Sequence, residues 1–225
     1  MLHERVRDSK CVGVATLSLL TNLFHSTTSM HAWQHAAGQK FLAPEKCEQI
    51  VSEMYRVGVP ECKPDVYAFT CVLHCWADSN RGEDAVNRAE SLFHQMTSRR
   101  EKGDANLIPD NVCYSNLINV YINAYFKTDG DFSMVEKAEK TFWEMVDSFL
   151  GGNDKAFPTT RNWNTLLSAF SKADSPKAAV QASRMIERWE ELARGGKLRS
   201  LPDGYSYSLL LKCWYVQHTF SRPAT

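Results

Sequence analysis

One short pattern occurs four times in this chain of 225 residues and constrains its fold more than any other feature. Each copy has a proline, an aromatic residue five positions later, and apolar residues three and four positions after that aromatic. A second aromatic residue follows seven positions after the first. The prolines of the four copies are Pro64, Pro109, Pro158 and Pro202. A regular interval of this length indicates an array of structural repeats.

The spacing inside each copy is that of one face of an α-helix, which we call helix A. Positions i, i+3, i+4 and i+7 share a helical face but cannot share the face of a strand. An aspartate beside the proline, as at Asp110 and Asp203, is a favourable N-cap. We predict that the four helix A stripes are core: Phe69, Val72, Leu73 and Trp76; Tyr114, Leu117, Ile118 and Tyr121; Trp163, Leu166, Leu167 and Phe170; Tyr207, Leu210, Leu211 and Trp214.

A second helix, helix B, is predicted after each of the first three copies. Its stripes have the same spacing and begin with alanine, a small residue that lets helix A approach closely. We expect Gly103, Gly151 and Gly195 at the C′ positions beyond these helices. The stripes are Ala89, Leu92, Phe93 and Met96; Ala138, Thr141, Phe142 and Met145; Ala182, Met185, Ile186 and Trp189.

One helical hairpin buries too little apolar surface alone, so neighbouring hairpins must stack. We therefore predict an all-α fold, a right-handed α-solenoid of antiparallel hairpins. A degenerate repeat precedes the four copies, with Cys47, Ile50, Val51 and Met54 as its helix B stripe. The last repeat has helix A only, so we expect the chain to be part of a longer array. The predicted units are an N-terminal segment 1–22, the degenerate repeat 23–65, repeats 66–110, 111–159 and 160–203, and the partial repeat 204–225.

The repeated residues resemble the pentatricopeptide repeat (PPR) family, as a P-type-like array with lengthened loops. The resemblance rests on Pro-Asp before helix A, on segments such as Tyr114-Ser115-Asn116 and Trp163-Asn164-Thr165, and on the helix B stripe. Tetratricopeptide repeats share the helical hairpin but lack a proline placed just ahead of helix A with an aromatic shortly after it.

The resemblance implies binding of single-stranded RNA, with one base for each repeat. In the family, the residue after the first aromatic and the residue that ends the unit read the base. The corresponding pairs here are Thr27 with Asp65, Thr70 with Asp110, Ser115 with Thr159, and Asn164 with Asp203. Ser208 holds the first position of a fifth pair, for which the chain has no second residue. The family pattern associates Thr or Ser plus Asp with guanine, and Asn plus Asp with uracil. Ser115 with Thr159 departs from the common pairs.

The resemblance also implies that the second residue of each unit stacks on bases. These residues are Phe24, Tyr67, Val112, Arg161 and Tyr205. Aromatic rings and guanidinium planes stack on any base. The alternative is that Tyr67 and Tyr205 are packing residues at helix starts.

Composition limits the other functions. The chain has 26 basic and 26 acidic residues, whereas most nucleic-acid-binding proteins carry a basic surplus. No apolar run is long enough to span a membrane. We find no catalytic constellation and predict no enzymatic activity, cofactor, metal or small-molecule substrate. Cys71, His74 and Cys75 share one helix face but lack a fourth ligand. The odd count of seven cysteines indicates reduced thiols.

We therefore expect sequence-specific binding of single-stranded RNA, in RNA processing, stability or translation. By resemblance, the location would be a mitochondrion or chloroplast, with other RNA-processing proteins as further partners, although no clear transit peptide is present. The alternative is an α-solenoid scaffold that binds proteins. An enzyme would need a domain beyond Thr225.

Overall fold

A computed structural model describes residues 43–58, 63–128 and 130–220, and these residues form helices and loops without a strand. The fold is a helical repeat solenoid, so the prediction of an all-α repeat fold is confirmed. The α-helices are α1 (Ala43–Val57), α2 (Val66–Asp78), α3 (Glu83–Glu101), α4 (Asn111–Tyr125), α5 (Phe132–Leu150), α6 (Thr160–Phe170), α7 (Ala178–Arg194) and α8 (Gly204–Phe220). Predicted helix A corresponds to α2, α4, α6 and α8, and predicted helix B to α1, α3, α5 and α7.

Side-chain caps begin the A helices. Asp65, Asp110 and Asp203 each accept a hydrogen bond on Oδ1 from a backbone N–H three residues later, over 2.8 to 3.0 Å. Thr159 forms a capping box with Asn162, in which each side chain bonds the other residue's backbone. Such caps stabilise a helix by about 1 kcal/mol each, and they place the start of every A helix at the same point after its proline.

Glycines follow each of the three B helices for which the sequence predicts a C′ glycine, with one correction to that prediction. Gly103 has the left-handed φ of 103° that a C′ glycine allows, as predicted. In the other two helices the left-handed residue is Gly152 or Gly196, one position later than predicted. Gly151 and Gly195 are the C-cap residues themselves, with φ of −78° and −74°. Because two glycines are adjacent in both places, the helix can include the first and turn on the second.

The core lies between the A and B helices, where most residues of both predicted stripes are buried and others, such as Leu92 and Phe93, are partly buried. Ala89, Ala138 and Ala182 are fully buried, which agrees with their predicted role in close approach. The ring of Trp163 stacks on that of Trp189, with centroids 4.7 Å apart and planes at 5°. Phe142 contacts the Trp163 indole edge-on, with the ring centroids 4.6 Å apart. Aromatic contacts therefore join α6 to the B helices on both sides of it.

The stripe of α8 is the exception, because Tyr207, Leu211 and Trp214 were predicted to be core but are 41%, 71% and 40% exposed. In α2, α4 and α6 the following B helix covers this face, and no described helix follows α8. Instead, α8 packs through the buried residues Leu209 and Cys213, and it contacts α6 and α7. The sequence pattern is the same in all four copies, but burial depends on the neighbour.

Two asparagines of α4 hold it alongside α2. The Asn116 amide donates to the backbone carbonyl of Thr70 over 3.2 Å, and the Asn123 amide donates to that of Ala77 over 2.8 Å. Both bonds join residues that are 46 positions apart, and they lie two turns apart along the helices. Helices α2 and α4 therefore lie side by side, which places their equivalent residues on one surface. Within the described residues, no helix has the length and apolar character that a membrane span requires.

Candidate nucleic-acid interface

Side chains on the first turns of the A helices form the candidate interface, which we call the A face. Thr70, Ser115 and Asn164 are half-buried and lie at equivalent positions on α2, α4 and α6. Ser208 holds that position on α8, and it is exposed. The predicted residues Phe24 and Thr27 lie outside the described residues.

Each described pair of predicted base-reading residues is joined through one further residue. In the clearest case, the Ser206 hydroxyl lies 2.7 Å from Oδ1 of Asn164 and 2.9 Å from Oδ1 of Asp203. The Ser206 backbone N–H also donates to Asp203 over 2.8 Å. Ser206, which lies 42 positions after Asn164, thus joins the Asn164 amide to the carboxylate of Asp203, the residue that ends the same unit.

The other two pairs have the same arrangement. The Asn162 amide donates to the Ser115 hydroxyl over 2.5 Å, and its oxygen accepts from the Thr159 hydroxyl over 2.6 Å. The Cys113 sulfur lies 2.8 Å from the Thr70 hydroxyl, and the Cys113 backbone N–H donates to Asp110 over 2.9 Å. We call Cys113, Asn162 and Ser206 the bridging residues. Each is the fourth residue after the repeat proline.

The predicted stacking residues are on the surface at the helix starts. Tyr205 is 59% exposed, and Tyr67, Val112 and Arg161 are exposed as well. Side chains this exposed contribute little to packing, which disfavours the alternative that they are packing residues. Their position on the first turn places them beside the base-reading residues of the same helix.

A groove of about 510 Å³ lies on the A face between α4, α6 and α8. Arg161, Asn164 and Tyr205, all predicted for RNA binding, line it together. Thr70 and Ser115 do not line this groove. The structure therefore brings one predicted base-reading residue and two predicted stacking residues into a single groove.

Part of the segment that lines this groove matches a known family of repeats. Residues 161–182 match the PPR repeat. The matched segment contains Trp163, Asn164 and the helix B alanine Ala182, which are among the residues that suggested the resemblance. A comparison with curated proteins gives no match. The match supports a helical repeat of the kind that binds RNA.

The groove also contains residues that the sequence pattern did not single out. Ser168 lies one turn after Asn164 on α6, Lys172 follows the end of that helix, and Phe126 is the C-cap residue of α4. The Lys172 ammonium lies 5.4 Å from the Phe126 ring centroid, close enough for a cation–π contact. The spacing i, i+4, i+8 from the base-reading residue was the signal that could have found Ser168 and Lys172.

Hydrogen bonds from the bridging residue set the charge state of this site. The Ser206 backbone N–H, and next its hydroxyl, hold the pKa of Asp203 below its usual value, and the Asn164 side chain acts in the same direction. Asp203 is therefore a carboxylate at neutral pH, and it can accept hydrogen bonds only. Burial is the main cause that raises the pKa of the Cys113 thiol to about 12, so this bridging residue is a neutral thiol.

The cysteine and histidine positions that were considered for a metal do not converge. Cys71 and Cys75 are buried, whereas His74 faces outward and lies 3.7 Å from Asp78. Across the described part of the chain, no cluster of His, Cys, Asp and Glu could hold a metal ion. The five cysteines in that part, which are Cys47, Cys71, Cys75, Cys113 and Cys213, are buried and form no disulfide.

Proposed function

We propose that this chain binds single-stranded RNA along the A face, with one base for each repeat. The observation that carries the proposal is the groove, which Asn164 lines together with the exposed side chains of Arg161 and Tyr205. Asp203 lies next to Asn164 through the Ser206 hydroxyl. We expect a base that enters this groove to hydrogen-bond to Asn164 at its edge and to stack on Arg161 or Tyr205.

The hydrogen-bonding groups at successive positions differ, which is the requirement for sequence preference. Thr70 with Asp110 offers oxygen atoms, and Asn164 with Asp203 offers an amide beside a carboxylate. We propose that the pairs Thr27/Asp65, Thr70/Asp110, Ser115/Thr159 and Asn164/Asp203 read guanine, guanine, a purine and uracil in the 5′ to 3′ direction. The last three assignments agree with the proximity of each pair, and the base identities rest on the family resemblance.

Stacking supplies affinity that does not depend on sequence. Base stacking on a protein side chain is worth about 1–3 kcal/mol for each base. Arg161 and Tyr205 provide such planes in the groove, and Tyr67 provides one at the start of α2. Val112 is smaller and can only contact a base through its methyl groups. We therefore expect the α6–α8 groove to hold its base most strongly.

Charge contributes less than in most nucleic-acid-binding proteins. Lys172 and Arg161 give the groove two cations near the path of a bound strand. The whole chain has no net charge, so phosphate contacts must come from such local cations. We expect weak binding at physiological salt and a shallow dependence of the affinity on salt concentration.

The biological setting follows from the resemblance. We propose that the chain acts in a mitochondrion or chloroplast, in RNA processing, stability or translation, beside other RNA-processing proteins. We propose no catalytic step for it. Fluorescence microscopy of the full-length gene product, tagged at its C-terminus, tests the location, and a cytosolic signal would count against this part.

The decisive test compares single-stranded RNA with duplex DNA. The full chain is titrated with a random pool of short RNAs at several salt concentrations, and duplex DNA of equal length is the control. We expect binding of the RNA pool that weakens as salt rises, and much weaker binding of the duplex.

A protein-binding scaffold is the second candidate, and the balanced charge favours it. Failure to bind RNA at low salt, together with recovery of a protein partner, would establish the scaffold.

A further inference from the structure

The bridging residues contact the base-reading residues but are themselves buried. Cys113 and Ser206 have no exposed surface, and Asn162 is 7% exposed. A bound RNA strand on the A face therefore cannot contact them. Each one belongs to the A helix that follows the base-reading residue, 42 to 47 positions later in the sequence. Any effect on base recognition must pass through the base-reading side chain.

The protons of the two base-reading hydroxyls are already committed. Thr70 donates its proton to the carbonyl of Val66 over 2.8 Å, and Ser115 donates to that of Asn111 over 2.5 Å. A hydroxyl has one proton and two lone pairs. Because the proton is used, the Cys113 thiol must donate to Thr70, as the Asn162 amide donates to Ser115. Each hydroxyl then presents one remaining lone pair, and it can only accept from a base.

The amide of Asn164 is held differently. The Ser206 hydroxyl has one proton and lies near two acceptors, the Asn164 oxygen at 2.7 Å and the Asp203 carboxylate at 2.9 Å. We assign the proton to Asn164, because the contact is shorter and Asp203 already accepts from the Ser206 backbone N–H. This bond turns the NH₂ group of Asn164 away from Ser206. The lowered pKa of Asp203, to which the Asn164 side chain contributes, agrees with an NH₂ group directed toward that carboxylate. Asn164 therefore presents a donor where Thr70 and Ser115 present acceptors. Without Ser206, the amide could rotate and exchange its oxygen and nitrogen.

We propose that Cys113, Asn162 and Ser206 are positioning residues that fix the hydrogen-bonding role of the base-reading side chain in the preceding repeat. This inference rests on the proposed RNA binding. Base preference at each position then depends on three residues rather than two: the base-reading residue, the residue that ends its unit, and the bridging residue of the next helix.

The arrangement accounts for differences among the three positions. Thr70 and the Asp110 carboxylate form a pair of acceptors, and guanine is the base with two adjacent donors on its Watson–Crick edge. At the next position, the Thr159 hydroxyl already donates to Asn162, so it has no proton for a base. Ser115 is left with one acceptor, and we expect the weakest discrimination there.

Selection from a random single-stranded RNA pool, followed by sequencing, tests the inference with the full chain. For Ser206→Ala, we expect the preference at the position read by Asn164 to fall about three- to tenfold, which is the range of one hydrogen bond. For Cys113→Ala, the preference at the Thr70 position should change instead. Cys113→Ser keeps a donor of similar size, so it should restore that preference. In each variant the other positions should keep their preferences.

A buried residue of α8 that contacts no base-reading residue provides the control. Cys213 is 3% exposed, and its sulfur lies 4.0 Å from the backbone carbonyl of Leu167. Cys213→Ala should lower the melting temperature without changing any base preference. Wild-type preferences that persist in both Ser206→Ala and Cys113→Ala would overturn this inference alone. A wild-type chain that binds no RNA would overturn the proposed function and this inference with it.

Discussion

The Ser206 hydroxyl of α8 lies 2.7 Å from the Asn164 amide oxygen of α6, although the two residues are 42 positions apart. This contact crosses the boundary between two helical repeats. The predicted base-reading residue Asn164 is therefore oriented partly by its own helix and partly by the next one. The repeats are coupled at the surface that we propose for RNA, as well as in the core.

The first prediction concerns the stacked tryptophans of the core. Trp189 is fully buried against Trp163, and its indole N–H donates to the carbonyl of Ser200 over 2.8 Å. We expect Trp189→Ala to lower the free energy of unfolding by about 3–5 kcal/mol. Trp214→Ala is the matched control, since Trp214 is half-exposed on α8, and it should cost about 1 kcal/mol. Urea denaturation measures both, and equal losses would contradict the burial difference.

The second prediction is a pH dependence of stability at Asp203. Hydrogen bonds from Ser206 lower the pKa of Asp203 in the folded chain. A lowered folded pKa stabilises the fold above the ordinary pKa of aspartate, about 3.9, and this stabilisation is lost as pH falls through the lower folded value. The wild type should therefore be more stable than Asp203→Asn at neutral pH. The difference should shrink below about pH 4, and a difference that grew on acidification would contradict this assignment.

The third prediction concerns the thiols. Burial raises the pKa of Cys113 to about 12 and that of Cys213 to about 11. Both should remain protonated at pH 8, and the thiolate is the form that alkylating reagents attack. We expect iodoacetamide to leave Cys113 and Cys213 unmodified in the native chain and to modify both in urea. Mass spectrometry of peptides reads the result, and rapid native labelling of Cys113 would show that α4 does not pack on α2 as described.

The fourth prediction separates stacking from base reading. Tyr205 lines the groove, so Tyr205→Ala should weaken binding of every RNA sequence by a similar factor, because every base has a face to stack on. Tyr67→Ala should act in the same way. Tyr215→Ala is the control, since Tyr215 is an exposed tyrosine of the same helix that does not line the groove. Loss of affinity for one base only, or an equal loss in the control, would argue against stacking at Tyr205.

The helices and their order could be predicted from the sequence because each repeat meets the same kind of neighbour. The stripe that begins at Phe69 and the stripe that begins at Tyr114 are both buried, so spacing alone predicts both. The prediction was wrong for Tyr207, Leu211 and Trp214 because a periodic pattern does not show whether a covering helix is present. It was wrong by one residue at Gly151 and Gly195 because each precedes a second glycine that can turn equally well.

The bridging residues could not be predicted in the same way. Cys113, Asn162 and Ser206 share a position but differ in chemistry, so no residue type recurs there. Their role depends on the lateral packing of successive A helices, which sets the distance from each to the preceding base-reading residue. The groove itself also arises from this packing. Repeat spacing indicates which residues are equivalent, but it gives no distances between them.

The central claim is that Asn164 with Asp203 reads one base, and one substitution tests it most directly. RNAs bound by the wild type and by Asn164→Thr are selected from the same random single-stranded pool and sequenced. We predict that the preference at the fourth position moves from uracil toward guanine, while the preferences at the other positions stay as they are. An unchanged preference at the fourth position would contradict the claim, and Asn164 and Asp203 would then be a surface polar group and a helix cap without a role in recognition.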